Sequence, residues 1–450
     1  MANSHKHMRA NATSLPRANK ELRSYVERYV EIRREFVNDI KRYGVPWAPL
    51  SNRSGEDALR RRVQGLADCG LRVENDCKSL WLNWISPSCL ACRRGVETET
   101  FLTSTQCNRN CFFCFNPNQN DYEYYLSHVN DAAQELKSRH SCNALYKHLG
   151  LSGGEPLLHK NQTLDFFRCA SELYPQARLR LYTSGSGLDG VMLNELAAAG
   201  LTEIRFSIKL EEGSACVEDT LHKIEMCVGR IPAVMVEMPV MPNEVNQMKS
   251  LLKRLDSMGV TGINLLELCF PLHNSEEFNQ RGYHLKAEPY RVLYEYWYGG
   301  GIPVDGSEAA CIDLLEYALQ EKIGMGVHYC SLENKLTGQI YQLNAPFAVR
   351  HRHWFFSQKD YFLKTIKFFG RDANTVEHLL RMTGEVRWGR DRSLGFVEVH
   401  PQALLPLASC MPNVVVGVAF AVMESRHGSF VLRELDVKPR VLGELNLSDL

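Results

Sequence analysis

Residues 99–114 read Glu99-Thr-Phe-Leu-Thr-Ser-Thr105-Gln-Cys107-Asn-Arg-Asn-Cys111-Phe-Phe-Cys114, an apolar and β-branched run followed by three cysteines. The run predicts a strand, because β-branched and aromatic side chains suit a pleated surface. Three thiolates at this spacing can hold three irons of a cubane and leave the fourth iron open to another ligand. Tetrahedral zinc needs a fourth Cys or His, which the spacing does not supply. The loop therefore predicts metal or cluster binding, with buried structural thiols as the alternative.

Strand-like runs alternate with segments of helical period beyond this loop, a pattern typical of βαβ units and a parallel sheet. The six predicted strands are Glu99 to Thr105, His148 to Ser152, Leu179 to Ser184, Glu203 to Leu210, Val234 to Val240 and Gly262 to Leu268. Six such units predict an α/β fold, a partial (β/α)6 parallel barrel. Its chemistry is expected at the carboxyl ends of the strands. The three-cysteine loop, Gly153-Gly154-Glu155-Pro156 and Thr183-Ser184-Gly185 all fall on that rim.

The pattern divides the chain into three parts. Residues 1–85 predict an N-terminal helical segment, 86–344 the barrel, and 345–450 a C-terminal α+β appendage. The appendage begins near a basic and aromatic cluster, His351 to Phe356. That cluster predicts packing with a solvated charged face, with docking of a peptide or nucleic acid as the alternative.

Charge and cysteine usage narrow the class of protein. The 52 basic and 52 acidic residues cancel, so no global field favours nucleic acid or an anionic membrane. No stretch approaches 18 consecutive apolar residues, and the first 20 residues are polar. The 15 cysteines are odd in number and scattered, which fits thiols and metal ligands better than disulfides. We expect a cytoplasmic protein with no membrane partner.

The ordered motifs resemble the radical SAM (S-adenosylmethionine) superfamily over residues 97 to 270. They are Cys107-x3-Cys111-x2-Cys114 with Phe113 before the last cysteine, then Gly153-Gly154-Glu155-Pro156, then Thr183-Ser184-Gly185. The resemblance implies a [4Fe–4S] cluster on the three cysteines. It also implies SAM contacts from Phe113, Gly153, Gly154, Glu155, Ser184, Ser207 and Lys209.

The activity that this resemblance implies is reductive cleavage of SAM. A reduced [4Fe–4S] cluster would produce a 5′-deoxyadenosyl radical that abstracts hydrogen from a substrate. An external one-electron reductant of flavodoxin or ferredoxin type is then a required partner. From about residue 85 onward the chain is also similar to a group related to pyruvate formate-lyase activating enzymes. That likeness rests on Ser88-Cys89-Leu-Ala-Cys92-Arg-Arg-Gly95, Leu265 to Leu268, Asn279 to Tyr283 and His328-Tyr329-Cys330-Ser331.

A second cysteine pair, Cys89-x2-Cys92, precedes the first predicted strand. Such pairs often bind zinc or clusters, and Cys330 is the preferred third ligand because it follows a strand-like run. The other residues that might complete the set are His328, Cys77, Cys69 and Cys311. An auxiliary iron–sulfur cluster, a structural metal and free thiols all remain open.

The sequence assigns no catalytic side chain. The candidates are Glu237 and Glu267 on strands five and six, which could orient a substrate amine or form structural ion pairs. We expect a peptide or protein substrate, because segments on both sides of the barrel could hold something extended. The alternatives are a small-metabolite enzyme, a glycyl-radical enzyme activase, and a non-catalytic zinc or Fe–S module that binds nucleic acid.

Overall fold

A nine-stranded sheet forms the body of the protein in a computed structural model that describes residues 17–49, 53–295, 300–348, 352–446 and 450. The first eleven strands are β1 (Arg72–Glu74), β2 (Ser79–Leu82), β3 (Thr98–Leu102), β4 (His148–Ser152), β5 (Arg178–Thr183), β6 (Glu203–Phe206), β7 (Ala233–Val240), β8 (Gly262–Glu267), β9 (Cys269–Phe270), β10 (Ile302–Pro303) and β11 (Gly326–Cys330). The sheet order is β1-β2-β11-β8-β7-β6-β5-β4-β3, and β9 pairs with β10 separately.

The predicted parallel sheet is confirmed, and all six predicted strands lie in it as neighbours in chain order. The predicted number of parallel strands is too small by one. A seventh, β11, lies parallel to β8, and β2 closes that edge in the antiparallel sense. The sequence analysis did not place β11 and β2 in the sheet. β11 follows an irregular segment and a helix, and β2 is only four residues long.

Several helices pack against one face of this sheet. The first twelve helices of the chain, not all of which lie on that face, are α1 (Lys20–Lys41), α2 (Arg53–Asp68), α3 (Pro87–Cys92), α4 (Tyr122–Ser127), α5 (Ala132–Ser141), α6 (Lys160–Leu173), α7 (Gly190–Ala198), α8 (Ser214–Cys227), α9 (Val245–Ser257), α10 (Ser275–Gln280), α11 (Ser307–Gln320) and α12 (Leu332–Asn344). In α9 the buried residues Met248, Leu251, Leu252 and Leu255 follow helical spacing. None of the described helices is apolar over a length that would span a bilayer.

Alternation along the strands gives the sheet two different faces. Leu181, Ile204, Val236 and Ile263 are fully buried in the core beneath the helices. The intervening positions on the same strands are polar, and they form the inner face of the sheet. The inner-face residues are Arg180, Tyr182, Glu203, Arg205, Glu237, Asn264 and His328.

An antiparallel sheet forms most of the C-terminal part. Its strands are β12 (Phe355–Phe356), β13 (Leu363–Phe369), β14 (Trp388–Asp391), β15 (Phe396–Val399), β16 (Val415–Arg426) and β17 (Ser429–Val441), with helices α13 (Gly370–Met382) and α14 (Leu405–Cys410). The order is β14-β15-β13-β16-β17, and β12 also pairs with β13. Helix α1 packs on one face through Leu22, Tyr25 and Val26, and α13 packs on the other.

The predicted division of the chain differs from this arrangement at both ends. Residues 72–82 are strands of the main sheet, so 1–85 is not solely helical. Helix α1 shares a hydrophobic core with the C-terminal sheet, although the two are far apart in sequence. In the predicted basic and aromatic cluster Trp354 is buried and His353 pairs with Glu398 at 2.6 Å, as packing requires. His351 lies outside the described residues.

Candidate active site on the sheet rim

The three-cysteine loop follows β3 and is anchored to neighbouring loops. Cys107 is exposed, and Cys111 and Cys114 are half-buried; all three are free thiols. Asn274 Nδ2 donates to the Phe112 carbonyl at 3.1 Å, and His273 Nε2 lies 2.7 Å from the Cys114 carbonyl oxygen. The loop is thereby fixed to the segment that follows β9, at the carboxyl edge of the sheet.

Two glycines hold the next loop against the cysteine loop. A Cβ on Gly153 would lie 2.2 Å from the Ser104 carbonyl oxygen, and one on Gly154 only 2.0 Å from that of Gln106. Gly153 also has φ +143°, where other residues are strained. The Gly154 and Glu155 amides donate to those same carbonyls, both at 2.8 Å. Only glycine permits this close approach.

Glu155 joins the second loop to the third. Its side chain is 1% exposed and accepts hydrogen bonds from Thr183 Oγ1, Ser184 N and Ser184 Oγ, all at 2.6 Å. The Leu157 amide donates to it at 3.1 Å. The carboxylate therefore fastens the Thr183-Ser184 turn, a role that the sequence did not indicate. Contact of Glu155 with the SAM amino group stays a prediction.

Lys209 brings a buried positive charge to the cysteine loop. Its Nζ donates to Ser207 Oγ at 2.7 Å and lies 4.7 Å from the centre of the Phe113 ring. Burial raises the pKa of the Cys111 thiol, and a hydrogen bond with Lys209 opposes that rise. Burial also raises the pKa of Cys107, against a 3.4 Å hydrogen bond from the Arg109 amide. Metal binding would have to displace these protons.

The chemistry of this donor set fits a cubane cluster. Throughout the described residues, no group of three or more His, Cys, Asp or Glu side chains is arranged to hold a single metal ion. Tetrahedral zinc would bring thiolates to about 3.8 Å from one another, given Zn–S bonds of about 2.3 Å. A cubane distributes its thiolates over separate irons and accommodates a wider spacing. Three thiols on one anchored loop, beside a buried lysine, meet that requirement.

A polar network crosses the inner face of the sheet. Glu237, Asn264 and His328 occupy one register across β7, β8 and β11. Arg205 bridges Glu203 and Glu237, at 2.6 Å each, and Asn264 Nδ2 donates to Glu237 at 2.6 Å. Although burial opposes ionisation of Glu237, Arg205 keeps the pKa of that carboxyl below its usual value. The Glu237 side chain is still 20% exposed, so it borders space inside the sheet.

His328 and Glu267 are both held by structural contacts, and for Glu267 this is the ion-pair alternative of the sequence analysis. Asn264 Oδ1 lies 2.9 Å from His328 Nδ1, and Ser79 Oγ lies 3.0 Å from its Nε2, so both ring nitrogens are engaged. His328 is therefore not a free metal ligand. Glu267 pairs with Lys286 at 3.3 Å and accepts from the Leu332 amide at 2.9 Å. It forms a structural ion pair at the start of α12, whereas Glu237 remains the candidate on the inner face.

The second cysteine pair lies on α3, against the same inner face. Cys89 Sγ accepts from Arg205 Nη2 and Asn264 Nδ2, both at 3.3 Å. Cys92 and Cys330 are close enough to each other and to Cys89 for their charges to interact. Of the other candidate ligands, Cys311 is buried in the core of α11, Cys77 lies beside Asp76, and Cys69 is exposed after α2. Cys89, Cys92 and Cys330 are thus the candidates that lie near the inner face.

Sequence reasoning missed Arg180, Tyr182, Arg205 and Asn264 as members of the inner face. The signal was present in the alternation of polar and apolar residues along β5, β6 and β8. It was overlooked because a parallel strand is usually read as continuously apolar.

One rim of the parallel sheet carries a three-cysteine loop, a Gly-Gly-Glu turn and a Thr-Ser-Gly turn. This arrangement defines an enzyme class in which a cluster and a small molecule bind at the same rim. Residues 101–255 match the family described as the Radical SAM superfamily. The chain therefore carries a radical SAM domain, and this match supports a radical SAM enzyme whose cofactors are a [4Fe–4S] cluster and SAM. This identification sets aside the non-catalytic nucleic-acid module.

One curated relative comes from Methanocaldococcus jannaschii and is named, provisionally, a glycyl-radical enzyme activating enzyme. It is 25% identical over an alignment of 280 residues, which covers 58% of this chain and 69% of the relative. It supports the likeness to the group related to pyruvate formate-lyase activating enzymes.

Several solved structures match part of the chain. Streptococcus suis SuiB bound to the precursor peptide SuiA matches with a TM-score of 0.33 and 12% identity, over 52% of this chain and 53% of SuiB. The anSMEcpe enzyme with bound AdoMet and a peptide matches with a TM-score of 0.31 and 16% identity, over 38% of this chain and 51% of that one. The chain thus spans about half the length of these structures, and likenesses this distant carry no argument about substrate.

Proposed function

We propose that Cys107, Cys111 and Cys114 bind the [4Fe–4S] cluster and that SAM lies between the three loops of the rim. The proposed SAM contacts are Phe113, Gly153, Gly154, Glu155, Ser184, Ser207 and Lys209. One observation carries this assignment: the Gly154 and Glu155 amides bond to the cysteine loop while the Glu155 carboxylate bonds to the Thr183-Ser184 turn. A single bonded unit therefore surrounds the place where cluster and SAM would meet.

When bound and reduced by one electron, the cluster and SAM supply a 5′-deoxyadenosyl radical that abstracts hydrogen from a substrate. The protein's own contribution is to position the cluster and SAM and to enclose them. Gly153 and Gly154 keep backbone amides and carbonyls close to the cysteine loop, where side chains would obstruct them. Lys209 presents a cation beside Cys111, and Phe113 lies over that cation and limits the access of water. The electron comes from an external donor of flavodoxin or ferredoxin type.

The substrate that we propose is a polypeptide. The support is the provisional name of the M. jannaschii relative, since an activating enzyme of glycyl-radical enzymes acts on another protein. A small polar metabolite is the second candidate. Its support is the inner face itself, where Glu237, Asn264 and Arg205 form a compact polar surface that is partly accessible.

The cofactor assignment is tested by iron and sulfide analysis under anaerobic conditions. We expect the Cys107→Ala, Cys111→Ala, Cys114→Ala triple variant to lose about four irons. Formation of 5′-deoxyadenosine from SAM and dithionite should disappear with them. Cys142→Ala, at an exposed cysteine elsewhere, is the matched control and should change neither quantity. Zinc in the wild type, no iron after reconstitution and no SAM cleavage would contradict the assignment.

The substrate class is tested with an extract of cells that naturally produce the protein, separated into a macromolecular and a small-molecule fraction. The readout is 5′-deoxyadenosine formed above the basal rate. A polypeptide substrate predicts stimulation by the macromolecular fraction, lost after protease treatment and retained after nuclease treatment. Stimulation by the small-molecule fraction alone, insensitive to protease, would reject the polypeptide and favour the metabolite.

A further inference from the structure

We propose that Cys89, Cys92 and Cys330 bind a second iron–sulfur cluster on the inner face of the sheet, separate from the rim. The proposal does not depend on how the rim holds its own cluster. It rests on the position of α3, the hydrogen-bond donors around two of the sulfurs, and a buried arginine that has no ion-pair partner among the described residues.

Helix α3 lies across the inner face and is tied down along its length. Ser86 Oγ, at its N-cap, donates to Glu203 at 2.7 Å, and Ser88 Oγ lies 3.1 Å from His148 Nδ1. At its far end a Cβ on Gly338 of α12 would lie 2.7 Å from the Cys92 carbonyl oxygen. These contacts place Cys89 over β6 and β8 and direct the end of α3 toward α12. Cys330, the last residue of β11, leads into that same helix.

Nitrogen donors converge on these sulfur atoms. Two side chains donate to Cys89 Sγ, Arg205 and Asn264, both at 3.3 Å. Asn334 Nδ2 donates to Cys330 Sγ at 3.2 Å. A thiol is a weak acceptor, whereas a thiolate bound to iron attracts N–H groups that help set the potential of the cluster. Three amide and guanidinium contacts to two sulfurs are the environment that a cluster ligand requires.

The inner face carries one arginine that has no ion-pair partner among the described residues. Arg205 bridges Glu203 and Glu237, and neither of these carboxylates lies within 4 Å of Arg180. Arg180 is 5% exposed, its Nε has no hydrogen-bond partner, and no carboxylate of the described residues lies within 4 Å of it. A buried cation without an anion is costly.

A cubane on three thiolates would bring negative charge to the face that holds Arg180. A [4Fe–4S] core of charge +2 with three thiolates carries about −1. A single metal ion fits less well, because no trio of ligands in the described chain has the spacing that one ion needs, and both nitrogens of His328 are occupied. Three protein thiolates would leave one iron without a protein ligand, so an external ligand could bind there.

The test uses the variant that lacks the rim cysteines, because any remaining iron then belongs to a second site. After anaerobic reconstitution we expect Cys107→Ala, Cys111→Ala, Cys114→Ala protein to keep about four irons and four sulfides, with an EPR signal on reduction. Adding Cys89→Ala, Cys92→Ala and Cys330→Ala should reduce both to near zero. Adding Cys69→Ala, Cys142→Ala and Cys410→Ala instead, at three exposed cysteines, is the matched control and should change nothing.

The reciprocal variant separates this proposal from the proposed function. Cys89→Ala, Cys92→Ala, Cys330→Ala protein should keep the rim cluster and its response to SAM while its iron falls by half. Arg180→Met should lower the potential of the second EPR signal and leave the first unchanged, which covers the case in which the cysteine variants fold poorly. Three results would overturn the proposal: the variant without the rim cysteines contains no iron, iron remains after all six substitutions, or the protein binds stoichiometric zinc in place of iron.

Discussion

Replacing Glu155 by Gln tests whether this side chain primarily fastens the rim or contacts SAM. Each carboxylate oxygen accepts two hydrogen bonds: Oε1 from Thr183 Oγ1 and Leu157 N, Oε2 from Ser184 N and Ser184 Oγ. A glutamine keeps one acceptor oxygen and presents an NH2 group where the other oxygen stood. Two bonds to the charged carboxylate are lost: a backbone amide is left facing the NH2 group, and the hydroxyl beside it must reverse to accept from that group.

The magnitude follows from the two lost bonds. Hydrogen bonds to a charged group contribute about 1.5 kcal/mol each at the lower limit, so the turn should open about 3 kcal/mol more easily. That free energy corresponds to roughly 100-fold faster hydrogen exchange of the Ser184 amide. The assay is exchange mass spectrometry of peptides that cover 183–186, in protein without iron or SAM. Glu172→Gln, on the exposed side of the following helix, is the control and should leave exchange unchanged.

The two roles predict different results. If Glu155→Gln leaves exchange at Ser184 within a factor of three of wild type but abolishes SAM binding in the reconstituted enzyme, the carboxylate acts on SAM and not on the turn. That result would refute the inference that the hydrogen bonds of Glu155 hold the Thr183-Ser184 turn in place.

Three further predictions concern the rim and the inner face. Gly154→Ala should lower SAM cleavage about 100-fold by displacing the loop, measured as 5′-deoxyadenosine formed per minute, while Gly190→Ala, where a Cβ meets open space, should have no effect. Lys209→Met should lower the potential of the rim cluster by roughly 60 mV in an EPR redox titration, since a cation worth about 1.4 kcal/mol to the reduced state is removed; Lys223→Met is the control. His328, whose pKa burial lowers from 6.5 to about 3, stays neutral in the folded protein. The contribution of neutral His328 to the free energy of unfolding is complete above pH 6.5. It falls as the pH drops toward 3, by about 2 kcal/mol at pH 5, because the unfolded chain binds a proton there that the folded protein does not. His328→Gln should therefore flatten the dependence of the urea midpoint on pH between 6.5 and 3.

The barrel could be predicted from the sequence because its signals are local. Each of the six strands is a short apolar run bounded by helix-period segments, and the rim motifs follow three of them directly. The loop that carries Cys107, Cys111 and Cys114 needs no long-range information to be placed. The same holds for the turn at Gly153 and Gly154.

The parts that could not be predicted depend on pairing between distant segments. Strand β13 has no clear strand signal because Lys364 and Lys367 look solvent-exposed in sequence, whereas both are buried and paired with Asp360 and Glu434, respectively, at 2.7 Å. Glu267 looked like an interior carboxylate because its partner Lys286 lies in an irregular segment. Cys89 could be linked to Cys330, but its contact with Arg205 depends on the path of α3 over the sheet.

The packing of α1 on the C-terminal sheet has a consequence for biosynthesis. Tyr25 donates to Glu434 at 2.7 Å across 409 residues of chain. A ribosome adding about 5–20 residues per second completes that interval in roughly 20–80 seconds. During that time the apolar side of α1, with Leu22 and Val26, has been made while the sheet it packs on has not. The nascent chain therefore exposes the apolar side of α1 until translation is nearly finished. We expect chaperones to bind the nascent chain most during that interval.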